Sequence, residues 1–166
     1  MHNLHPTQID GLAAVDPITG FRNREALMED LAAALAPGRG ACVLAVFDLA
    51  GAAEYRRVYG YLASDTLIAR LASVFAEVMA APARLYRSRE DEFWALLDWP
   101  ADSARALVDA ATAALRRSGA EAHVIATSGI ALLPAEAGDP MEALRVADSR
   151  LGAVRRPRER RASPRP

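Results

Sequence analysis

Residues 86–97 read Tyr-Arg-Ser-Arg-Glu-Asp-Glu-Phe-Trp-Ala-Leu-Leu, an acidic turn between two arms that are rich in apolar and aromatic residues. Short apolar arms bounded by polar residues predict a β-hairpin, with its tip at roughly residues 88–92. Several charged side chains crowd this tip, so the hairpin is the first place to look for a functional site.

Helical and strand patterns alternate along the rest of the chain. The predicted elements are a helix from residue 24 that Pro37 ends, a strand over 41–47, helices over 52–59 and 62–79, the hairpin, a helix over 102–117, a strand over 122–133 and a helix over 141–154. These predictions rest on the spacing of the apolar residues along the chain, which differs between helices and strands. This order predicts an α/β fold, more closely an α+β sandwich, in which helices pack on a central mixed sheet that contains the hairpin.

Four single residues give local predictions. Asn23 suits the N-cap of the first helix. The first strand is a continuous apolar run that ends in Asp48, as expected of a central strand buried on both faces. Gly129, inside a strand, predicts a bulge or a close backbone approach. Cys42, the one cysteine, is expected to be a small core residue in a reducing compartment.

The composition is ordinary for a soluble globular domain: 166 residues, 52% hydrophobic and 25% charged, with a net charge of −1. Every apolar run is far shorter than the roughly 18 to 20 residues that a bilayer demands. The first residues lack the basic and apolar pattern of a secretory signal. We therefore expect a cytoplasmic protein with no membrane contact.

The end of the chain is rich in arginine and proline. All twenty basic residues are arginine, and six of them fall in the last twelve positions, together with three prolines. Arginine clusters attract phosphate, but a solvated end is the simpler interpretation, so we do not expect a nucleic-acid partner. The predicted organisation is an N-terminal arm over residues 1–15, one domain over 16–156 and a disordered tail over 157–166.

Four spaced motifs carry a resemblance to a known family. Residues 16–24 read Asp-Pro-Ile-Thr-Gly-Phe-Arg-Asn-Arg, residues 47–51 read Phe-Asp-Leu-Ala-Gly, Tyr59-Gly60 precedes Asp65, and the hairpin carries Arg-Glu-Asp-Glu-Phe over residues 89–93. Together they resemble the GGDEF domains of bacterial diguanylate cyclases, which condense two GTP molecules into cyclic di-GMP. The resemblance implies a palm fold like that of nucleotidyl cyclases.

The resemblance also implies a set of site residues. Asp48 and Asp91 match two metal-binding carboxylates, and Asp91 matches a residue that helps to activate the attacking hydroxyl. Two carboxylates from adjacent strands can hold Mg²⁺ against triphosphate oxygens, so Mg²⁺ is the expected cofactor if a nucleotide binds. Asp65, Arg56 and Arg155 match nucleotide-binding positions: Arg56 replaces a guanine-reading asparagine, and Arg155 replaces a lysine that meets phosphate.

Each carboxylate also has a purely structural interpretation. Asp48 suits an N-cap for the helix that follows, Asp91 suits a polar turn, and Asp65 suits a cap or a solvated surface position. Glu92 is expected to be structural, because it alternates with Asp91 along the strand. The residues alone leave these alternatives open.

The hairpin departs from the family's signature. The two glycines that let the turn approach a nucleotide closely are Arg89 and Glu90 here, followed by the matching Asp91, Glu92 and Phe93. Each new side chain is expected to intrude where the ligand would lie. Glu90 also places a negative charge in front of a polyanion.

These departures favour a degenerate domain that lacks diguanylate cyclase activity and acts as a regulatory, nucleotide-binding or protein-binding module in cyclic di-GMP signalling. The alternative is a weak or altered-specificity cyclase that uses GTP and Mg²⁺ and works as a homodimer. A third interpretation is a scaffold that binds partners through the arginine-rich tail. Product inhibition is not expected, because Ala80 and Ala83 replace the arginine and aspartate of that site.

Overall fold

The computed structural model describes residues 14–79 and 83–159, with side chains described as far as Leu151 in the last helix. The elements are α1 (Arg24–Ala34), β1 (Cys42–Ala50), α2 (Ala52–Met79), β2 (Arg84–Arg89), β3 (Glu92–Leu97), α3 (Ala101–Gly119), a 3₁₀ turn (Ala120–Ala122), β4 (Ile125–Leu133) and α4 (Pro140–Glu159). None of the helices in these ranges is long and apolar enough to cross a membrane.

The four strands form one sheet in the order β2-β3-β1-β4, and its three ladders are all antiparallel. The α+β sandwich is confirmed, but the sheet is not the mixed one that the alternation predicted. Each strand-helix-strand crossover does join strands that run in the same direction, yet a third strand lies between them. Among the described residues, parallel pairing is confined to an isolated bridge between Arg22 and Tyr86.

β1 is buried on both faces, and each face packs on a different pair of helices. On one face Phe47 lies with its ring centroid 4.7 Å from Phe75 of α2, and Phe93 of β3 packs on the same ring at 5.4 Å. On the other face Leu44 and Trp94 pack against α1 and α4. Aromatic pairs of this kind add about 0.5–1.5 kcal/mol beyond the burial of their area. We call the face of the sheet that carries Phe47 the α2/α3 face, and the face that carries Leu44 the α1/α4 face.

Several local predictions can be compared with the structure. Asn23 caps α1, because its Oδ1 accepts from the N–H of Ala26 at 3.0 Å. β1 does not end at Asp48 but continues to Ala50, since both of its neighbours still offer hydrogen-bonding partners there. The two helices predicted over residues 52–79 are both present in α2 and meet at a kink, where Gly60 has a non-helical φ of +84° that glycine adopts without strain.

The chain ends differ in part from expectation. α4 runs to Glu159, so it continues past the predicted end at residue 154 and into the predicted tail. The segment is rich in arginine, which has a high helix propensity. Residues 160–166 of the tail, residues 1–13 of the predicted arm, and Ala80 lie outside the described residues.

Gly129 is a site of close backbone approach rather than a bulge. The β1·β4 ladder continues in register through the pair Val46 and Gly129. A Cβ added at Gly129 would lie 2.3 Å from the carbonyl oxygen of Ala147 and 2.7 Å from the amide nitrogen of Leu151, both in α4. α4 can therefore sit against the sheet only where this strand has no side chain.

We expect Gly129→Ala to destabilise the protein by about 2 kcal/mol, because the backbone of α4 has to move away from β4. The measurement is the free energy of unfolding in urea. Gly40→Ala is the matched control, since a Cβ there meets nothing within 4 Å. Equal stability of the two variants would contradict the packing described here.

Candidate functional site

The hairpin turn is attached to the end of β1. Glu90 and Asp91 form the turn between β2 and β3, which is shorter than the predicted tip. The N–H of Leu49 donates to the carbonyl oxygen of Asp91 at 2.9 Å. Because β1 is held by ladders on both sides, this bond fixes the turn relative to the core.

A cavity of about 500 Å³ lies between this turn and the first half of α2. Five of the residues predicted from the sequence line it: Arg56, Asp65, Arg89, Glu90 and Asp91. The structure therefore brings together most of the predicted nucleotide-binding and signature positions. The side chain of Arg155 lies outside the described residues.

An ion pair crosses this cavity. Arg56 of α2 donates through Nη1 to Oε2 of Glu90 in the turn. The guanidinium of Arg56 also lies 5.4 Å from the centroid of the Tyr61 ring, a cation–π distance. Sequence reasoning singled out Arg56 and Glu90 separately but did not predict that they meet.

A second ion pair at the cavity was missed by sequence reasoning altogether. Arg87, whose side chain is only 8% exposed, donates to both carboxylate oxygens of Asp16, at 3.1 and 3.2 Å. Arg87 also donates to the carbonyl oxygen of Glu90 at 2.8 Å, so it stabilises the turn. Both residues stand in quoted motifs, but 71 positions separate them, and no spacing rule connects them.

The Asp16 carboxyl is held in its ionised form. Burial acts to raise its pKa, but hydrogen bonds from the N–H and hydroxyl of Thr19, with the hydrogen bond and charge of Arg87, lower the pKa below its ordinary value of 3.8. The entry turn and the hairpin are thus joined by a partly buried charge pair.

On the α1/α4 face, four polar side chains form a row across the strand ends, which we call the polar row: Arg89, Glu92, Asp48 and Thr127. Arg89 in β2 pairs directly with Glu92 in β3, and Glu92 pairs with Asp48 in β1. Asp48 in turn pairs with Thr127 in β4. Directly opposite residues in antiparallel strands point to the same face of the sheet. Asp48 therefore lies opposite Glu92, whereas Asp91 lines the cavity.

The polar row is largely buried. Glu92 is 6%, Asp48 8% and Thr127 3% exposed, while Arg89 is exposed. The indole N–H of Trp94 donates to Oε1 of Glu92 at 2.6 Å, a contact that holds the Glu92 side chain against the α1/α4 face.

Two acidic groups near the polar row are influenced by Arg89. Burial raises the pKa of Glu92, while the Trp94 indole and the charge of Arg89 act in the opposite direction. Burial likewise raises the pKa of Asp148 in α4, against the charges of Arg89 and Arg24. The positive charge of Arg89 therefore acts on one carboxyl of the strand and on one of the helix.

This donor set does not fit a divalent metal ion as it stands. Mg²⁺ is usually held by one or two carboxylates together with phosphate oxygens and water. Within residues 14–79 and 83–159, no three Asp, Glu, His or Cys side chains form a group that could hold a metal. The polar row also already contains a positive charge, that of Arg89.

The sequence matches the family model described as "Diguanylate cyclase, GGDEF domain" over residues 13–161. Among curated protein sequences, none matches this chain significantly.

Three solved structures illustrate the likeness. The GGDEF domain of DgcB from Caulobacter crescentus, solved in complex with c-di-GMP, is 26% identical with a TM-score of 0.75, covering 87% of this chain and 91% of that one. The GGDEF domain of TpbB (YfiN) from Pseudomonas aeruginosa is 25% identical with a TM-score of 0.70, covering 86% and 88%. Diguanylate cyclase SiaD from Pseudomonas aeruginosa, in complex with its activator SiaC, is 19% identical with a TM-score of 0.74, covering 90% and 63%, and supports the fold alone.

We expect Asp16→Asn to lower the stability by about 2 kcal/mol at pH 7, because it leaves the buried Arg87 without its counter-charge. Since the folded-state pKa of Asp16 is lowered, its stabilisation is present above about pH 4 and is lost as the pH falls further. Urea unfolding at pH 7 and pH 3 measures this, and the difference between wild type and variant should shrink at pH 3.

The matched control for this measurement is Glu54→Gln, which breaks the exposed ion pair with Arg57 in α2. Exposed pairs contribute little, so we expect almost no change at either pH. A difference between wild type and Asp16→Asn that stays constant from pH 7 to pH 3 would contradict the charge pair.

Proposed function

Because the chain belongs to the GGDEF domain family, we propose that it is a degenerate member, which makes no cyclic di-GMP. It acts instead as a regulatory module in cyclic di-GMP signalling, through a bound nucleotide or a protein partner. We place it in the cytoplasm, in keeping with its one buried, unbridged cysteine.

The ion pair between Arg56 and Glu90 carries this proposal. By the resemblance, position 56 belongs to a guanine-reading asparagine and position 90 to a signature glycine. Two positions that would contact a nucleotide instead contact each other across the cavity. A GTP molecule in the family's position would have to displace both side chains.

The obstacle to GTP is mainly space and charge rather than the strength of the pair. The Arg56 side chain is 30% and the Glu90 side chain 70% exposed. Pairs this exposed are worth only about 0–1 kcal/mol. Once the pair is broken, however, the carboxylate of Glu90 still faces the phosphates, and like charges at short range disfavour binding.

A partner is part of this proposal, because a module without catalysis has to act through something that it binds. SiaD was solved with its activator SiaC, which shows that a relative with this fold can assemble with a regulatory protein. For this chain we propose a protein partner or a second copy of the domain, with a guanine nucleotide as the candidate ligand of the cavity.

The alternative is an active cyclase, weak or altered in specificity. It is supported by the carboxylates at the strand ends and the cavity, namely Asp48, Asp65 and Asp91. Mg²⁺ is the cofactor that the family's chemistry uses. This alternative requires Arg89 to move away from the polar row and the Arg56–Glu90 pair to open.

We expect no cyclic di-GMP when the purified protein is incubated with GTP and Mg²⁺ and the nucleotides are separated by chromatography. Asp48→Ala is run in parallel, because it removes a carboxylate that the active alternative needs. Product formed by the wild type and lost in Asp48→Ala would establish the alternative. Product formed equally by both would point to a contaminating enzyme, and the assay is then repeated after further purification.

We expect the double variant Arg56→Asn, Glu90→Gly to bind GTP roughly tenfold more tightly than the wild type, because it removes both the obstructing side chain and its negative charge. Isothermal titration calorimetry measures the affinity. Arg57→Asn is the matched control, since this arginine lies on the same helix but pairs with Glu54. Equal affinity of the double variant and the wild type would remove the Arg56–Glu90 pair as the obstacle.

A further inference from the structure

We propose that Arg89 is a built-in cation of the polar row and takes the place of a divalent metal ion at the hairpin. The inference rests on the proposed function and deepens it, because it states how this domain keeps its acidic strand ends without a metal. The consequence is that the polar row itself binds no divalent ion.

The register of the sheet determines the position of the Arg89 charge in the polar row. Arg89 in β2 is the direct partner of Glu92 in β3, and Glu92 is the direct partner of Asp48 in β1. A β-bulge between Arg87 and Arg89 brings Arg89 into this register. The guanidinium thus stands at the open end of a row whose two carboxyls are more than nine-tenths buried.

Two buried carboxyls in neighbouring strands need a compensating charge, because burying like charges together is costly. In metal-binding sites a cation supplies that charge. Here Asp148 of α4 adds a third acidic group on which the charge of Arg89 acts. The charges of Arg89 and Arg24 both lower the pKa of Asp148, and of these two arginines it is Arg89 that belongs to the polar row.

The positive charge at position 89 distinguishes this chain from the signature of the family. By the resemblance, a signature glycine without any side chain belongs there, so this chain places a positive charge where the family has none. Arginine stays protonated at any physiological pH, so the charge is permanent. A divalent ion at Glu92 would lie in the field of this fixed charge and be repelled by it.

The test is a titration of the full chain with Mn²⁺ in the absence of any other ligand. Binding is measured as the decrease in the electron paramagnetic resonance signal of free Mn²⁺. We expect the wild type to leave the signal unchanged. Arg89→Gln, which removes the charge but keeps the length of the side chain, is expected to bind Mn²⁺ at least roughly tenfold more tightly.

Two control variants separate charge from shape. Arg89→Lys keeps the positive charge and is expected to behave as the wild type does. Arg57→Gln removes an exposed charge outside the polar row and is also expected to leave the signal unchanged. Arg89 is exposed, so these variants fold, and thermal unfolding with and without Mn²⁺ gives a second readout: only Arg89→Gln should be stabilised by the ion.

Three outcomes would overturn the inference. The first is that the wild type binds Mn²⁺ as tightly as Arg89→Gln does. The second is that Arg89→Gln shows no increase in Mn²⁺ affinity, and the third is that the increase persists when Asp48→Asn is added to Arg89→Gln. Because no nucleotide is present, these outcomes are separate from the cyclase assay. A wild type that binds Mn²⁺ but forms no cyclic di-GMP would overturn this inference and leave the proposed function intact.

Discussion

β1 has no solvent-facing side, and the position of the site depends on that constraint. Eight of its nine residues are buried, and antiparallel ladders hold it on both edges. A strand fixed in this way cannot slip in register without moving every core side chain to the wrong face. The hairpin turn, which Leu49 holds through the carbonyl oxygen of Asp91, is therefore placed as precisely as the core itself.

The two residues that replace the signature glycines both line the cavity, but they align with different parts of the structure. Glu90 turns toward α2 and closes the cavity by pairing with Arg56. Arg89 aligns with the polar row on the α1/α4 face, next to Glu92. Glu90 alters the part of the site where the resemblance implies that a base would lie. Arg89 alters the part that contains the strand-end carboxylates. A single turn thus changes both parts of the site at once.

Much of the fold could be predicted from the sequence, because the periods of the apolar residues follow directly from burial. The continuous apolar run of β1, the N-cap at Asn23 and the break at Gly60 are local signals of this kind. The antiparallel sheet was missed because alternating helices and strands do not reveal which strand is inserted between two others. The site residues were found only one at a time, since pairs such as Arg87 with Asp16 join segments far apart in sequence. A contact of that kind follows from the packed fold and not from any local pattern.

The break at Gly60 divides α2 into two parts of unequal burial. Most of its buried residues, from Leu67 to Met79, belong to the second part, whereas the first part contributes the buried Ala52 and the half-buried Tyr55. Segments with few buried contacts open with low free energies, so their amides exchange with solvent ahead of the core. The first part carries Arg56, and hence one wall of the cavity belongs to the less buried part of α2. We therefore expect this wall of the cavity to open at a lower free energy than the sheet that supports the hairpin.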